Sequence, residues 1–184
     1  YRGLAYKALK IRISIDSSAE LSELCSTTKV DLKNVNGRMR VYVDGEDVEN
    51  RIRTEEVGLI ASKISTFVVV REKLLDLQRE AGLRGGLVAE GRDMGSVVFQ
   101  DADYKFYLDA TLAERTKRRH KELLLKGSTA EYQSIQNDMS IRDKQDQERA
   151  IAPLKPPEGS IIVDSDNLSI EEVAEKIMSM ISKK

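Results

Sequence analysis

The sequence predicts an α/β fold: an open parallel sheet with helices on both faces, carrying a small antiparallel β insertion. Three observations predict it. Short, largely apolar strand-like runs (Leu87–Ala89, Tyr104–Leu108, Ile161–Val163) alternate with long stretches of helical period, the pattern of buried parallel strands and their crossover helices. One stretch breaks that rhythm by alternating apolar with polar residues around Asn36-Gly37. The length, 184 residues, suits one sizeable domain with small insertions better than two independent cores.

Taken in order, Tyr1 to Lys10 places Leu4, Ala8 and Leu9 at helical spacing with no cap before them, and reads as the tail of a helix; either the natural start has been removed or this is one piece of a longer product. Ser17-x-x-Glu20 is a capping box for a short helix ending near Cys25. Val30–Asn34 and Arg38–Val43 form a hairpin about Asn36-Gly37, and Asp44-Gly45 offers a second turn, so two or three antiparallel strands fill 28–48. Helical period returns at Thr54 with Val57, Ile60, Ala61 and Ile64 on one face, and again from Val68 to Ala81, stopping at Gly82. Arg84-Gly85-Gly86 is a loop. Asp109 is expected to cap a long helix ending at Gly127, Ser128-x-x-Glu131 to open another, and Ser169-x-x-Glu172 to open the last.

Composition excludes several function classes. Thirty basic and 31 acidic residues leave a net charge of −1, so no global field draws the chain onto nucleic acid or an anionic membrane. Cys25 is the only cysteine and His120 the only histidine, which removes internal disulfides, cysteine zinc sites and His-rich metal sites. Both are read as structural. The longest apolar stretch, Phe67–Val70, is far short of the roughly 18 residues of a membrane span. A reducing, cytoplasmic setting is expected.

Three constellations could carry chemistry. Glu90-Gly91-Arg92-Asp93-Met94-Gly95 follows an apolar run, where open α/β sheets bind ligands; Arg92 offers a fork for phosphate and Asp93 an acceptor for an amine or hydroxyl. Arg142, Asp146 and Arg149 share one face if their segment is helical, a grip suited to a sugar phosphate. Arg115, Arg118 and Arg119 could form an anion clamp on another helix. From spacing alone, the first could equally be a turn whose Arg and Asp pair locally and the third plain surface, while for Arg142, Asp146 and Arg149 a solvated face with a weak ion pair is the better reading. A loop of the form G-x-x-x-x-G-K-[ST] is absent, and Lys126-Gly127-Ser128 has the wrong order.

Together these pieces resemble the bacterial-type cytidylate kinases, of the nucleoside monophosphate kinase group of P-loop proteins. The resemblance runs through Tyr1-Arg2, Asp44-Gly45-Glu46-Asp47-Val48, Ile52-Arg53-Thr54-Glu55-Glu56-Val57, Gly91-Arg92-Asp93-Met94-Gly95-Ser96-Val97-Val98-Phe99, Tyr107-Leu108-Asp109-Ala110 preceding Glu114-Arg115, and Arg142-Asp143 onward to Arg149-Ala150-Ile151-Ala152-Pro153-Leu154. It implies a five-stranded P-loop kinase-type parallel sheet wrapped by helices: a core of 1–25, 66–117 and 150–184, a monophosphate-binding insert at 26–65, and a helical lid at 118–149. It implies transfer of the ATP γ-phosphoryl group to CMP or dCMP with Mg²⁺, by a monomer that needs no nucleic acid, membrane or metal site of its own. Ser62, Arg71 and Asp93 would read the cytosine; Tyr1, Arg142 and Asp146 would hold the ribose. Arg2, Arg92 and Arg149 would bind the 5′-phosphate, with Arg92, Arg149 and Arg118 catalytic. Arg118, with Arg115 or Arg119, would face ATP.

The family's first strand, glycine loop and first helix, a unit on the order of 30 residues, are expected upstream of Tyr1; the chain as given is therefore expected to be inactive alone. Glu90 stands where many relatives have Asp. Competing readings are a kinase for another monophosphate such as UMP, or for a shikimate-like alcohol; a non-catalytic nucleotide-binding remnant; and, more distantly, a basic nucleic-acid module.

Overall fold

A computed structural model describes residues 1–83 and 85–181; Arg84 and residues 182–184 lie outside the described residues, so the loop expected at Arg84-Gly85-Gly86 is described only at its glycines. The fold is mixed α/β and divides into two compact units, Tyr1–Ala89 with Arg149–Ile151, and Glu90–Glu148 with the chain from Ala152 onward.

In the first unit α1 (Arg2–Ile11) and α2 (Ser18–Thr27) precede the antiparallel strands β1 (Val30–Val35), β2 (Arg38–Val43) and β3 (Glu46–Asp47). Helices α3 (Glu55–Ile64) and α4 (Val68–Gly82) follow. The expected hairpin forms: Val35 pairs with Arg38 across Asn36-Gly37, whose φ angles of 53° and 79° are those a tight hairpin turn requires. Asp44 and Gly45 repeat that geometry, at 50° and 83°, to turn β2 into β3. Ser17 caps α2 by accepting the Glu20 N–H, while the Glu20 carboxylate accepts the N–H of Ser14 instead of returning to Ser17. The helix runs two residues past Cys25. Thr54 caps α3 through the N–H of Val57. Apolar faces of all four helices and β2 close one core, in which Leu4, Leu21, Leu24, Val48, Ile64 and Val70 are fully buried.

The second unit is organised around β4 (Phe106–Asp109) and β5 (Ile161–Asp164), paired in parallel from Phe106–Ile161 to Asp109–Asp164. Helices α5 (Leu112–Leu125) and α6 (Tyr132–Glu148) pack on each other, and α7 (Ile170–Ile181) closes the described chain. The box at Ser169 forms completely: its hydroxyl accepts the Glu172 N–H at 3.1 Å and its own N–H reaches the Glu172 carboxylate at 2.7 Å. Two expected caps shift. Thr111, not Asp109, caps α5, because the Asp109 carboxylate is taken by the adjacent N–H of Ala110. Ser128 spends its hydroxyl on the N–H of Ala130, so α6 starts only at Tyr132.

The strand expected at Leu87–Ala89 does not form. The run is irregular and Val88 is 97% exposed. A buried parallel strand exists only through its neighbours, and among the described residues no strand pairs with this one. Of the five-stranded sheet that the resemblance implies, the described residues hold β4 and β5 as parallel partners. Within β5 only Val163 is buried; Ile161 and Ile162 are exposed, against the expectation of a wholly buried strand. Among the described residues no helix is long and apolar enough to cross a membrane.

Candidate active site

The expected site residues fall into two groups, one in each unit. In the first, Arg2 begins α1 and donates through Nη1 to the carbonyls of Ile52 (2.7 Å) and Thr54 (3.1 Å) at the entrance to α3. Its guanidinium lies against Gly58, where a Cβ would come within 3.0 Å of Nη2. Gly58 and Ser62 are four residues apart and share one face of α3. One helix onward, Arg71 is buried in α4; it donates to the carbonyl of Ser65 at 3.1 Å and lies 5.7 Å from the ring centroid of Tyr1. Arg149, also buried, donates to the Ser65 hydroxyl at 3.2 Å, and that hydroxyl donates to the carbonyl of Ser62 at 2.7 Å. Tyr1, Ser62, Arg71 and Arg149 are thereby linked, with Ser65 between three of them.

In the second unit the centre is Asp146, 2% exposed on α6. Arg92 donates to it through Nε at 3.0 Å, and Arg142, one turn earlier on the helix, stands 3.9 Å from the same oxygen. Burial, and then the neighbouring charge of Arg92, hold the Arg142 guanidinium below its usual basicity; Asp146 and Asp143 oppose this only in part. Two cations about one carboxylate therefore retain excess positive charge, which an incoming anion would relieve. Asp93, buried, opens a wide helical turn at Met94–Val98: its carbonyl accepts the N–H groups of both Val97 and Val98. Such π-type turns concentrate at functional sites. Gly91 and Gly95 make room for the chain itself, since a Cβ would come within 2.9 Å of Met94 at Gly91 and 3.0 Å of Pro157 at Gly95.

The three arginines of α5 diverge. Arg115 bonds Asp143 at 2.5 Å and the carbonyl of Ala110. Arg118 pairs with Glu114 at 3.0 Å and ties the segment after β5 by donating to the hydroxyl and carbonyl of Ser165 and the carbonyl of Leu168. Arg119 reaches Glu122 at 2.5 Å. The face expected for 142, 146 and 149 holds for the first two only: α6 stops at Glu148, and Arg149 belongs to the first unit. His120 stacks edge-on against Tyr132, and burial pushes the Cys25 thiol up, away from nucleophilic use.

Comparison with known proteins bears on the sequence that carries these residues. The family model described as cytidylate kinase matches residues 1–183. The chain belongs to the cytidylate kinase family. Cytidylate kinase from Pasteurella multocida (strain Pm70) is 42% identical over 183 residues, covering 100% of this chain and 81% of that protein. The enzyme of the same name from Mannheimia succiniciproducens is 42% identical over 184 residues, covering 100% and 82%. That from Aeromonas salmonicida is 43% identical over 179 residues, covering 97% and 78%. A cytidylate kinase is by its name an ATP-dependent phosphotransferase, and the α/β architecture fits that group.

Within this family member, sequence reasoning missed Ser65, Gly58, Glu114, Asp143 and Ser165. Glu114 lies one turn before Arg118, and that spacing was readable. Asp143 sits inside a quoted motif without an assigned role. Ser65 and Ser165 meet their arginines 84 and 47 residues away in sequence, a separation no local pattern reports.

Proposed function

We propose that this chain belongs to a kinase that transfers the γ-phosphoryl group of ATP to CMP or dCMP, giving ADP and CDP or dCDP. The observation that carries the reading is Asp146, buried between Arg142 of its own R-D-x-x-D-x-x-R motif and Arg92 of the separate Gly91-Arg92-Asp93 motif. A buried carboxylate with incompletely neutralised guanidinium groups suits a ligand offering both hydroxyls and phosphate. Asp146 and Arg142, with Tyr1, take the ribose; Arg92, Arg2 and Arg149 take the 5′-phosphate. Ser62 and Arg71 supply donors for cytosine O2 and N3, and Asp93 accepts from its amine. A wrong base would leave these buried groups unsatisfied, which makes discrimination strong.

In the reaction a 5′-phosphate oxygen of CMP forms the new bond to Pγ as the bond from Pγ to the β,γ-bridging oxygen breaks, and the electrons of that bond leave with ADP. The protein contributes alignment and charge, little covalent chemistry. Arg92 and Arg149 neutralise the attacking phosphate. Arg118, with Arg115 or Arg119, serves ATP; Arg118 reaches it by exchanging its bonds to Glu114 and Ser165. Arginines that close in this way also exclude water that would compete for the phosphoryl group. The insert at 26–65 and the lid at 118–149 are the segments proposed to close about the core of 1–25, 66–117 and 150–184, in a cytoplasmic monomer.

Bound Mg²⁺ would supply positive charge to neutralise the phosphates of ATP. Such an ion is held by phosphates and one or two carboxylates. Glu90, exposed before Gly91, is the carboxylate that would help hold it. Among the described residues no three His, Cys, Asp or Glu side chains gather as a metal cage.

The test is ADP release by the full-length protein with CMP, dCMP, UMP or AMP as acceptor. CMP and dCMP are expected to react, and Asp93→Ala is expected to lose preference for CMP over UMP along with rate. UMP as the best acceptor would overturn the cytosine assignment; no ADP with any of the four would favour the non-catalytic reading.

A further inference from the structure

We infer that Ser65 is a positioning residue for nucleotide binding, fixing Arg149 through its hydroxyl and Arg71 through its carbonyl. This rests on the reading that those two arginines serve CMP. Ser65 ends α3 and is 5% exposed, with its own N–H committed to the carbonyl of Ala61. A hydroxyl has one proton to donate and two lone pairs to accept with. Here the proton goes to the carbonyl of Ser62 at 2.7 Å, which turns a lone pair toward the Arg149 Nη1–H at 3.2 Å. The carbonyl accepts from Arg71 Nη1 at 3.1 Å. One residue thus sets two guanidinium groups and touches the carbonyl of a third candidate, Ser62.

The local electrostatics explain why a helix end does this. Arg71 stands in the opening turns of α4, near the positive end of that helix, where a cation is disfavoured. The carbonyl end of α3 carries the opposite partial charge, and Ser65 presents it directly to the guanidinium. Two long, flexible side chains are thereby held in place before a nucleotide arrives, which lowers the ordering cost of binding.

Ser65→Ala removes the hydroxyl and keeps the carbonyl, so it acts on Arg149 and spares Arg71. Titration calorimetry of the whole chain with CMP reads the effect. Ser65→Ala is expected to weaken CMP binding about tenfold, the loss of one hydrogen bond to a charged group, with the ratio of CMP to UMP affinity unchanged. Ser65→Thr, which keeps the hydroxyl, is expected to recover most of the loss. Because Ser65→Ala could disturb the fold, the pair Ser65→Ala and Arg149→Ala is combined: the serine change is expected to add nothing once Arg149 is gone. Wild-type affinity in Ser65→Ala, or fully additive losses in the double variant, would overturn the role of Ser65. Failure of the wild-type chain to bind CMP would instead overturn the functional reading on which it rests.

Discussion

In the first unit Arg2, Arg71 and Arg149 donate to neutral oxygens, the carbonyls of Ile52, Thr54 and Ser65 and the Ser65 hydroxyl, above a continuous apolar core. In the second, Arg92, Arg115, Arg118 and Arg119 each donate to a carboxylate, and only Val98, Ile135 and Val163 among the described apolar side chains there are buried. Neutral oxygens thus stand among the partners of the first three arginines, and carboxylates among those of the last four. An arginine paired with a carboxylate must exchange that partner for a ligand. Raised salt should weaken the half-exposed pairs of the second group.

The largest effect is expected from Leu4→Ala. It empties a fully buried position in the first core and should cost about 2–5 kcal/mol, read as faster amide exchange through α1–α4. Val163→Ala is expected to cost less, since its strand neighbours are exposed. An equal or larger loss at Val163 would break the comparison.

Next is Asp146→Asn. It leaves Arg92 and Arg142 without their shared charge; removing one partner of a buried pair costs about 3–5 kcal/mol, and roughly 2 kcal/mol is expected here because the Arg92 side chain is 43% exposed. Inorganic phosphate should restore part of the loss in thermal unfolding. No rescue by phosphate would remove the case for an anion at that pair.

Gly58→Ala should separate stability from binding. Helix propensity gains up to about 1 kcal/mol, while the new Cβ displaces the Arg2 guanidinium. Unfolding should change by less than about 1 kcal/mol, with weaker CMP binding by calorimetry. Unchanged CMP affinity would argue that the present seat of Arg2 does not matter to the ligand.

The smallest expected effect is a pH dependence in the β insert. Asp44 is held below its ordinary value of 3.8, first by Lys7 and then by the N–H of Lys29. A lowered carboxylate stabilises fully above its unfolded value and loses that contribution as pH falls below about 3.8 through the folded one. Carboxyl titration by NMR should show Asp44 lowered in wild type and returned toward 3.8 in Lys7→Ala.

What the sequence made legible was what neighbours in the chain decide. Asn36-Gly37 and Asp44-Gly45 need left-handed backbone within two residues, and Ser17 and Ser169 cap helices within three, so these elements stand where they were expected. Leu87–Ala89 fails because a parallel strand is defined by partners elsewhere. The caps at Asp109 and Ser128 fail because each side chain accepts instead from an N–H one or two residues onward, that of Ala110 or Ala130. Of the candidate site, residue types and motif order were readable, and family membership followed. Their grouping was not: Arg149 leaves the helix face of Arg142 and Asp146, and Ser65 carries no signal of its own.

Amide exchange with and without CMP tests most directly whether both arginine groups serve one nucleotide. Slowed exchange is expected in 58–72 and 149–151 of the first unit and in 90–98 and 142–147 of the second. Slowing confined to one unit, at saturating CMP, would contradict it.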